Sequence, residues 1–273
     1  MKKYFKLGIL PYLIEEALLY TLSFFIIFLF ELMVVLRFSF SQGMEVWKNI
    51  DKLTDIIRAS LTQDTGYQLS VLGVAIWGII SYFWYKSETR GEEHGKAEEL
   101  VSGKILTLFM LLGLGSQCFF SGVIGSLMGR FPNLFESYTE TIGSLFHGNI
   151  VIVVLYTVII APVAEELVFR GVILHKAGGV LPFIGANILQ AAFFGIYHQD
   201  IVQGIYAALL GFLLGLTYRK FNSLYAPILL HILVNASAFL VMTLPVSELG
   251  SSLLMIGGAV MAGFIMIKLK LLR

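Results

Sequence analysis

The chain has 273 residues, of which 57% are apolar and only 14% charged, with a mean hydropathy of +0.83 and a net charge of +1. Soluble domains carry about 25% charged residues, so an ordinary soluble fold is excluded, and the near-zero net charge argues against a nucleic-acid partner. The single cysteine, Cys118, rules out a disulfide within the chain and a metal site built on thiolates; it reads as a small apolar residue.

A hydrocarbon core of about 30 Å takes roughly 20 helical residues, and backbone groups in lipid must be satisfied within the segment. Eight apolar runs are predicted to span as helices. The first, Ala17 to Leu36, contains Glu31. The opening MKKYFK is not read as a signal peptide, because no small-residue cleavage site follows and Pro11, Glu15 and Glu16 interrupt the approach. Between the first and second runs, Val46, Trp47, Ile50, Leu53, Ile57 and Leu61 recur at helical spacing opposite Lys48, Asp51, Lys52, Asp55 and Arg58. This predicts an amphipathic helix over Met44 to Leu61, lying on the outer surface. The runs Leu69 to Tyr85 and Ile105 to Gly129 follow, with a polar helical hairpin loop expected over Lys86 to Lys104. A weaker amphipathic pattern covers Pro132 to Phe146. Asn149 to Phe169 carries Glu165 and Glu166; Ala177 to Gln199, Ile201 to Tyr218, Phe221 to Ser247 and Leu249 to Ile267 carry no Asp, Glu, Lys or Arg.

Threading these eight helices puts Lys2, Lys3, Lys6, Lys86, Arg90, Lys96, Lys104, Arg170, Lys176, Arg219, Lys220, Lys268, Lys270 and Arg273 on one side. Only Arg37, Lys48, Lys52, Arg58 and Arg130 fall on the other. Lys and Arg accumulate on the cytoplasmic side. The expected fold is therefore an all-α polytopic integral membrane protein of about eight transmembrane helices, with both termini cytoplasmic. No internal repeat is visible.

Ionisable residues at membrane depth default to functional hypotheses, and three motifs place them there. Glu166 and Arg170 are four apart with the acid first, the favourable order for a helical ion pair; Glu165, rotated about 100°, is left as a base. The bland reading is two acids capping or snorkelling at a helix end. The pairs Glu15-Glu16, Glu92-Glu93 and Glu98-Glu99 serve as internal controls, since none sits well inside an apolar run with Arg four residues on. Phe194 and His198 share a helix face, although a lone His near a helix end is more often an interfacial residue than a catalyst. His231 and Asn235, also four apart, make one polar patch that could simply glue helices together.

Together, Glu-Glu-x-x-x-Arg, Phe-x-x-x-His and His-x-x-x-Asn on near-successive helices resemble the CPBP family, the CAAX prenyl endopeptidases of the Ras-converting type and their bacterial Abi relatives. The resemblance covers about Asn149 to Leu244 and divides the chain into helices before it (1–148), a catalytic core (149–244) and a last helix with a basic tail (245–273). It implies an intramembrane endopeptidase acting on a membrane-associated peptide or CAAX-like C-terminus, with or without a lipid, in the bacterial plasma membrane. Glu165 and His198 would activate a water, His231 and Asn235 would stabilise the oxyanion, Glu166 and Arg170 would hold the helix face, and Phe194 would pack beside the site. No cofactor is implied. A zinc alternative would use Glu165, His198 and His231 as ligands, although the His-Glu-x-x-His helix is absent. A bacteriocin-immunity or peptide-binding protein using the same pocket is the non-catalytic alternative, and a transporter ranks last for want of an inverted repeat. Substrate, oligomeric state and the role of the first 148 residues are not legible. With turns centred near residues 181 and 222 at one level, Glu165 and His198 share a depth, while His231 lies about 10 Å shallower. Access is expected from the cytoplasmic side.

Overall fold

The computed structural model describes residues 9–42, 50–92, 95, 102–145, 149–242, 244 and 247–272, which form helices and short connections without a strand among them. In chain order these are α1 (Leu10–Gln42), α2 (Ile50–Ser60), α3 (Gln63–Glu88), α4 (Gly103–Met128), α5 (Glu136–Leu145), α6 (Ile150–Gly178), α7 (Phe183–Tyr197), α8 (Ile201–Phe221), α9 (Tyr225–Val241) and α10 (Glu248–Leu269). The protein is an all-α polytopic membrane protein. Among the described residues, six helices (α1, α3, α4, α6, α8 and α10) are long and apolar enough to cross a bilayer.

Local sequence sets most of the boundaries. Pro11, the second residue of α1, sits where a missing N–H costs nothing, so the helix starts ahead of the predicted run and carries Glu15 and Glu16 inside it. Asn149, Asp200 and Ser247 each turn a side-chain oxygen onto free backbone N–H groups, starting α6, α8 and α10. Asn222 adopts the left-handed conformation, φ 47°, and lets α8 turn into α9 within three residues. The amphipathic helix expected over 44–61 is present from Ile50; Val46, Trp47 and Lys48 lie outside the described residues, as do residues 93, 94 and 96–101 of the loop expected over 86–104.

Two predicted spans are shorter than their uncharged runs. Helix α6 continues to Gly178, and the turn through Pro182 consumes further residues, leaving α7 with 15; α9 has 17. At 1.5 Å per residue these reach about 22 and 25 Å, short of a hydrocarbon core of about 30 Å. These are the two helices that carry the Phe-x-x-x-His and His-x-x-x-Asn motifs.

The two ends of the bundle are distinct. One end joins Lys176 to Glu88 at 2.7 Å, sets the Arg219 guanidinium over the Phe183 ring, and bonds the Gly95 N–H to the Asn222 carbonyl. The other pairs Tyr67 with Ser144 and brings Arg130 within 3.9 Å of Glu248. Helices α4 and α10 form the closest pair. Gly122 and Gly258 face the partner backbone at distances that leave no room for a Cβ, the small-residue contact that apolar solvent requires because lipid provides no hydrophobic drive between helices.

Candidate active site

The site is built on an unevenly wound helix. Within α6, Leu155–Ile160 and Leu167–Leu174 take the wide i→i+5 turn of a π-helix, on either side of the straight α-helical segment Ala161–Glu166. Pro162 explains part of this. The Ala161 N–H reaches back five residues to the Tyr156 carbonyl, and the next bond in that register would run from residue 162 to Thr157. Proline has no N–H to give. Asn235 Nδ2 from α9 donates to the Thr157 carbonyl instead, at 2.8 Å. Asn235 is thus anchored by a backbone acceptor that the sequence of α6 leaves free, and its second amide hydrogen remains for the cavity that it lines.

Glu165 and Glu166 follow. Arg170 Nη1 donates to Glu166 Oε1 at 2.8 Å, with both side chains wholly buried, so the predicted pair is present. Arg170 Nη2 also donates to the Gly211 carbonyl at 3.1 Å, and its guanidinium lies 4.6 Å from the centre of the Phe194 ring. Glu166, however, is more than a neutraliser of Arg170. Its Oε1 also accepts from His231 Nδ1 at 2.8 Å, while His231 Nε2 lies 3.8 Å from Glu165 Oε2. His231 therefore bridges the two glutamates. The Glu166 oxygen is a carboxylate accepting from arginine, so the Nδ1 proton belongs to His231 and Nε2 is the ring atom turned to Glu165.

This places His231 level with the glutamates, not about 10 Å shallower. The reckoning assumed that the turns before α7 and α9 lie at one depth. They do not: Leu224, at the start of α9, packs in one cluster with Leu167, Val172 and Tyr85, midway along the second half of α6. Helix α9 therefore begins deep in the bundle, and its seventh residue meets Glu166.

Phe194 sits among these groups. Its ring meets those of His198 at 4.8 Å, His231 at 5.8 Å and Phe169 at 4.9 Å, edge to face. His198 caps α7 and hydrogen-bonds through Nδ1 with the Phe194 carbonyl at 2.7 Å, which leaves Nε2 for the cavity. The connection that holds it is tight. Gln199 takes a left-handed conformation, φ 57°, and bonds to Tyr20, while Asp200 begins α8 by accepting from the Gln203 N–H. No hydrogen bond or ion pair joins His198 to Glu165; they share the cavity.

A cavity of about 470 Å³ is lined by Glu165, Phe194, His198, His231 and Asn235, and by Tyr156, Tyr197 and Tyr206 around them. That volume is in the range of small-molecule and peptide side-chain sites. Glu166 and Arg170 support it from behind. The seven residues singled out in the sequence are thus brought together.

Three buried polar residues were missed. Gln190 donates to Asn187 and to the Gly211 carbonyl, and Asn187 donates to the Phe212 carbonyl, extending the Arg170 network across α7 and α8. Two amides three apart in an uncharged run were the available signal. Glu15, dismissed as a control, is 1% exposed and leaves Oε2 without a partner; with no arginine four residues on, nothing in the sequence singled it out.

The zinc reading needs Glu165, His198 and His231 around one point. Among the described residues no group of three His, Cys, Asp or Glu side chains is disposed to hold a metal ion, although His231, with Nδ1 on Glu166, keeps Nε2 available as a ligand atom. The three candidate ligands do not form a ready cage here.

Comparison with known proteins finds similarity over the segment that carries the three motifs. Residues 147–237 match the family described as type II CAAX prenyl endopeptidase Rce1-like. A Bacillus subtilis (strain 168) protein described as "Putative membrane peptidase YdiL" is 22% identical over 145 residues, 51% of this chain and 57% of that protein, so the similarity spans little more than half of the relative's length. No solved structure matches the chain.

Proposed function

Starting from a CPBP-family domain over residues 147–237, we propose that the protein is an intramembrane endopeptidase that cleaves a peptide bond of a membrane-associated substrate with a water activated by Glu165. The observation that carries the reading is His231 held between two glutamates, with Asn235 and His198 on the same cavity wall.

Each residue has a chemical task. Glu165 takes the proton of the attacking water, His198 orients that water through Nε2, and Glu165 returns the proton to the leaving amine; such base catalysis typically contributes about 10²–10⁴ in rate. The oxyanion receives the second Nδ2–H of Asn235 and the Nε2–H of His231. Because its Nδ1–H is donated to Glu166, His231 can also donate from Nε2 only as the imidazolium. Two carboxylates, one guanidinium and one imidazolium then balance, as charges in an apolar site must. Proton transfer to Glu165 offsets the negative charge that appears on the oxyanion, so the cluster stays neutral along the step. Arg170 and Glu166 set the position of His231, and Phe194 excludes water from the ion pair beneath it.

The mechanism is metal-free in this reading; zinc on Glu165, His198 and His231 is the competing one. The deciding experiment is cleavage of a fluorogenic peptide library, with prenylated and unprenylated C-termini, by detergent-purified protein. Activity that vanishes in Glu165→Gln and survives a strong zinc chelator is the expected result. Loss on chelation with recovery on adding Zn²⁺ would transfer the same residues to a metallopeptidase. If the wild type cleaves nothing yet binds library peptides, the peptide-binding alternative replaces the enzyme.

A further inference from the structure

The direction in which the cavity opens carries information about the substrate. Its floor is closed toward the end of the bundle that holds the Lys176–Glu88 pair: Phe169, Arg170, Val172, Ile173, Leu214 and Leu230 are each 0–1% exposed. Its lining runs the other way, past Tyr138 and Ile142 of α5, Ile150 at the start of α6, Gln199 after α7 and Met242 after α9. A wider depression of about 830 Å³ adjoins it there, sharing Ser121, Ile124, Tyr138, Ile142 and Met242. This mouth lies at the Arg130–Glu248 end. At the closed end stand Lys86, Arg90, Lys104, Lys176, Arg219, Lys220, Lys268 and Lys270, against Arg37, Lys52, Arg58 and Arg130 among the described residues toward the other end. Cations mark the cytoplasmic side. The expectation of cytoplasmic access therefore conflicts with the orientation inferred from the same sequence, and the closed floor speaks for the orientation.

We propose that the cavity opens to the non-cytoplasmic face and admits an uncharged peptide segment presented there by an exported or membrane-anchored chain. The lining supports the choice of occupant. It is tyrosine-rich, with Gln117, Gln199 and Gln203 as neutral hydrogen-bonding groups, and among the described residues no Lys or Arg lines it. Apart from His231 at its base, which the two glutamates already engage, a free C-terminal carboxylate would find no cation to pair with, so the segment is read away from its charged end. Burial raises the Tyr138 phenol, reinforced by Asp200, so this hydroxyl at the mouth stays neutral and able to donate.

The occupant rests on the peptidase reading; the direction of opening does not, and two measurements separate them. In a Cys118→Ala background, Gln199→Cys and Met242→Cys probe the mouth, and Lys104→Cys and Lys220→Cys probe the closed end; all four positions are exposed. A membrane-impermeant maleimide applied to intact cells should label the first pair, and label the second pair only after permeabilisation. The reverse pattern overturns the proposal. In the second measurement, an impermeant quenched peptide of neutral sequence is added to right-side-out and inside-out vesicles. Cleavage by right-side-out vesicles, lost in Glu165→Gln, is expected, and cleavage confined to inside-out vesicles refutes it. Outward labelling with no cleavage in either orientation would uphold the opening and sink the peptidase occupant.

Discussion

Removing Arg170 should unfold or loosen the catalytic core, and the size of the effect follows from its burial. Glu166 and Arg170 are both fully buried and 2.8 Å apart. At an effective dielectric of 20 their gross attraction is about 6 kcal/mol, most of which offsets the cost of taking two charges out of water. Arg170→Met removes the cation and leaves the Glu166 carboxylate with His231 alone, so the change should approach the 3–5 kcal/mol typical of an orphaned buried charge. The Gly211 carbonyl loses little, because Gln190 still donates to it at 2.9 Å. The second change, Glu166→Gln in the Arg170→Met background, removes the orphan and should recover most of the loss. Unfolding free energies of the three proteins, from SDS titration in mixed micelles, measure both steps. A single variant within about 1 kcal/mol of wild type, or a double variant no more stable than the single, would refute the account of Glu166 as a carboxylate held by two donors.

The other expectations concern the reaction. Glu165→Gln should lower kcat by about 10³ or more, well beyond what losing its 3.8 Å ion pair with His231 costs in stability; an unchanged rate removes it as the base. Asn235→Ala should cost about 10²–10³ in kcat with KM nearly constant, as for an oxyanion donor, and a pure KM effect would reassign it to binding. Pro162→Ala restores an N–H that competes for the Thr157 carbonyl. It should lower kcat about tenfold by freeing Asn235, whereas a more active enzyme would show that this anchor is dispensable. Gly258→Leu should separate α4 from α10 and abolish the folded form in detergent, since its side chain would enter the backbone of Phe119. A stable, monodisperse variant contradicts that packing.

Much of this protein is legible in its sequence because a bilayer admits few solutions. Hydropathy alone locates every long apolar helix, since a spanning backbone must be helical. The Glu166–Arg170 pair follows from spacing along one helix, a purely local relation. The three motifs can be read individually for the same reason: residues four apart share a face wherever the helix ends up. What spacing does not reveal is how one helix is set against another. The depth of His231 depends on Leu224 packing against α6 well short of its end. Its bridging of both glutamates, and the use of the Thr157 carbonyl by Asn235, depend on contacts between residues 65 and 78 positions apart. The network of Asn187 and Gln190 exists only because α8 brings the Gly211 and Phe212 carbonyls to them, and the burial of Glu15 likewise depends on how α1 is packed. The side on which the cavity opens is decided last of all. It is the sum of which side chains fill the floor, and no periodicity along a single helix encodes it.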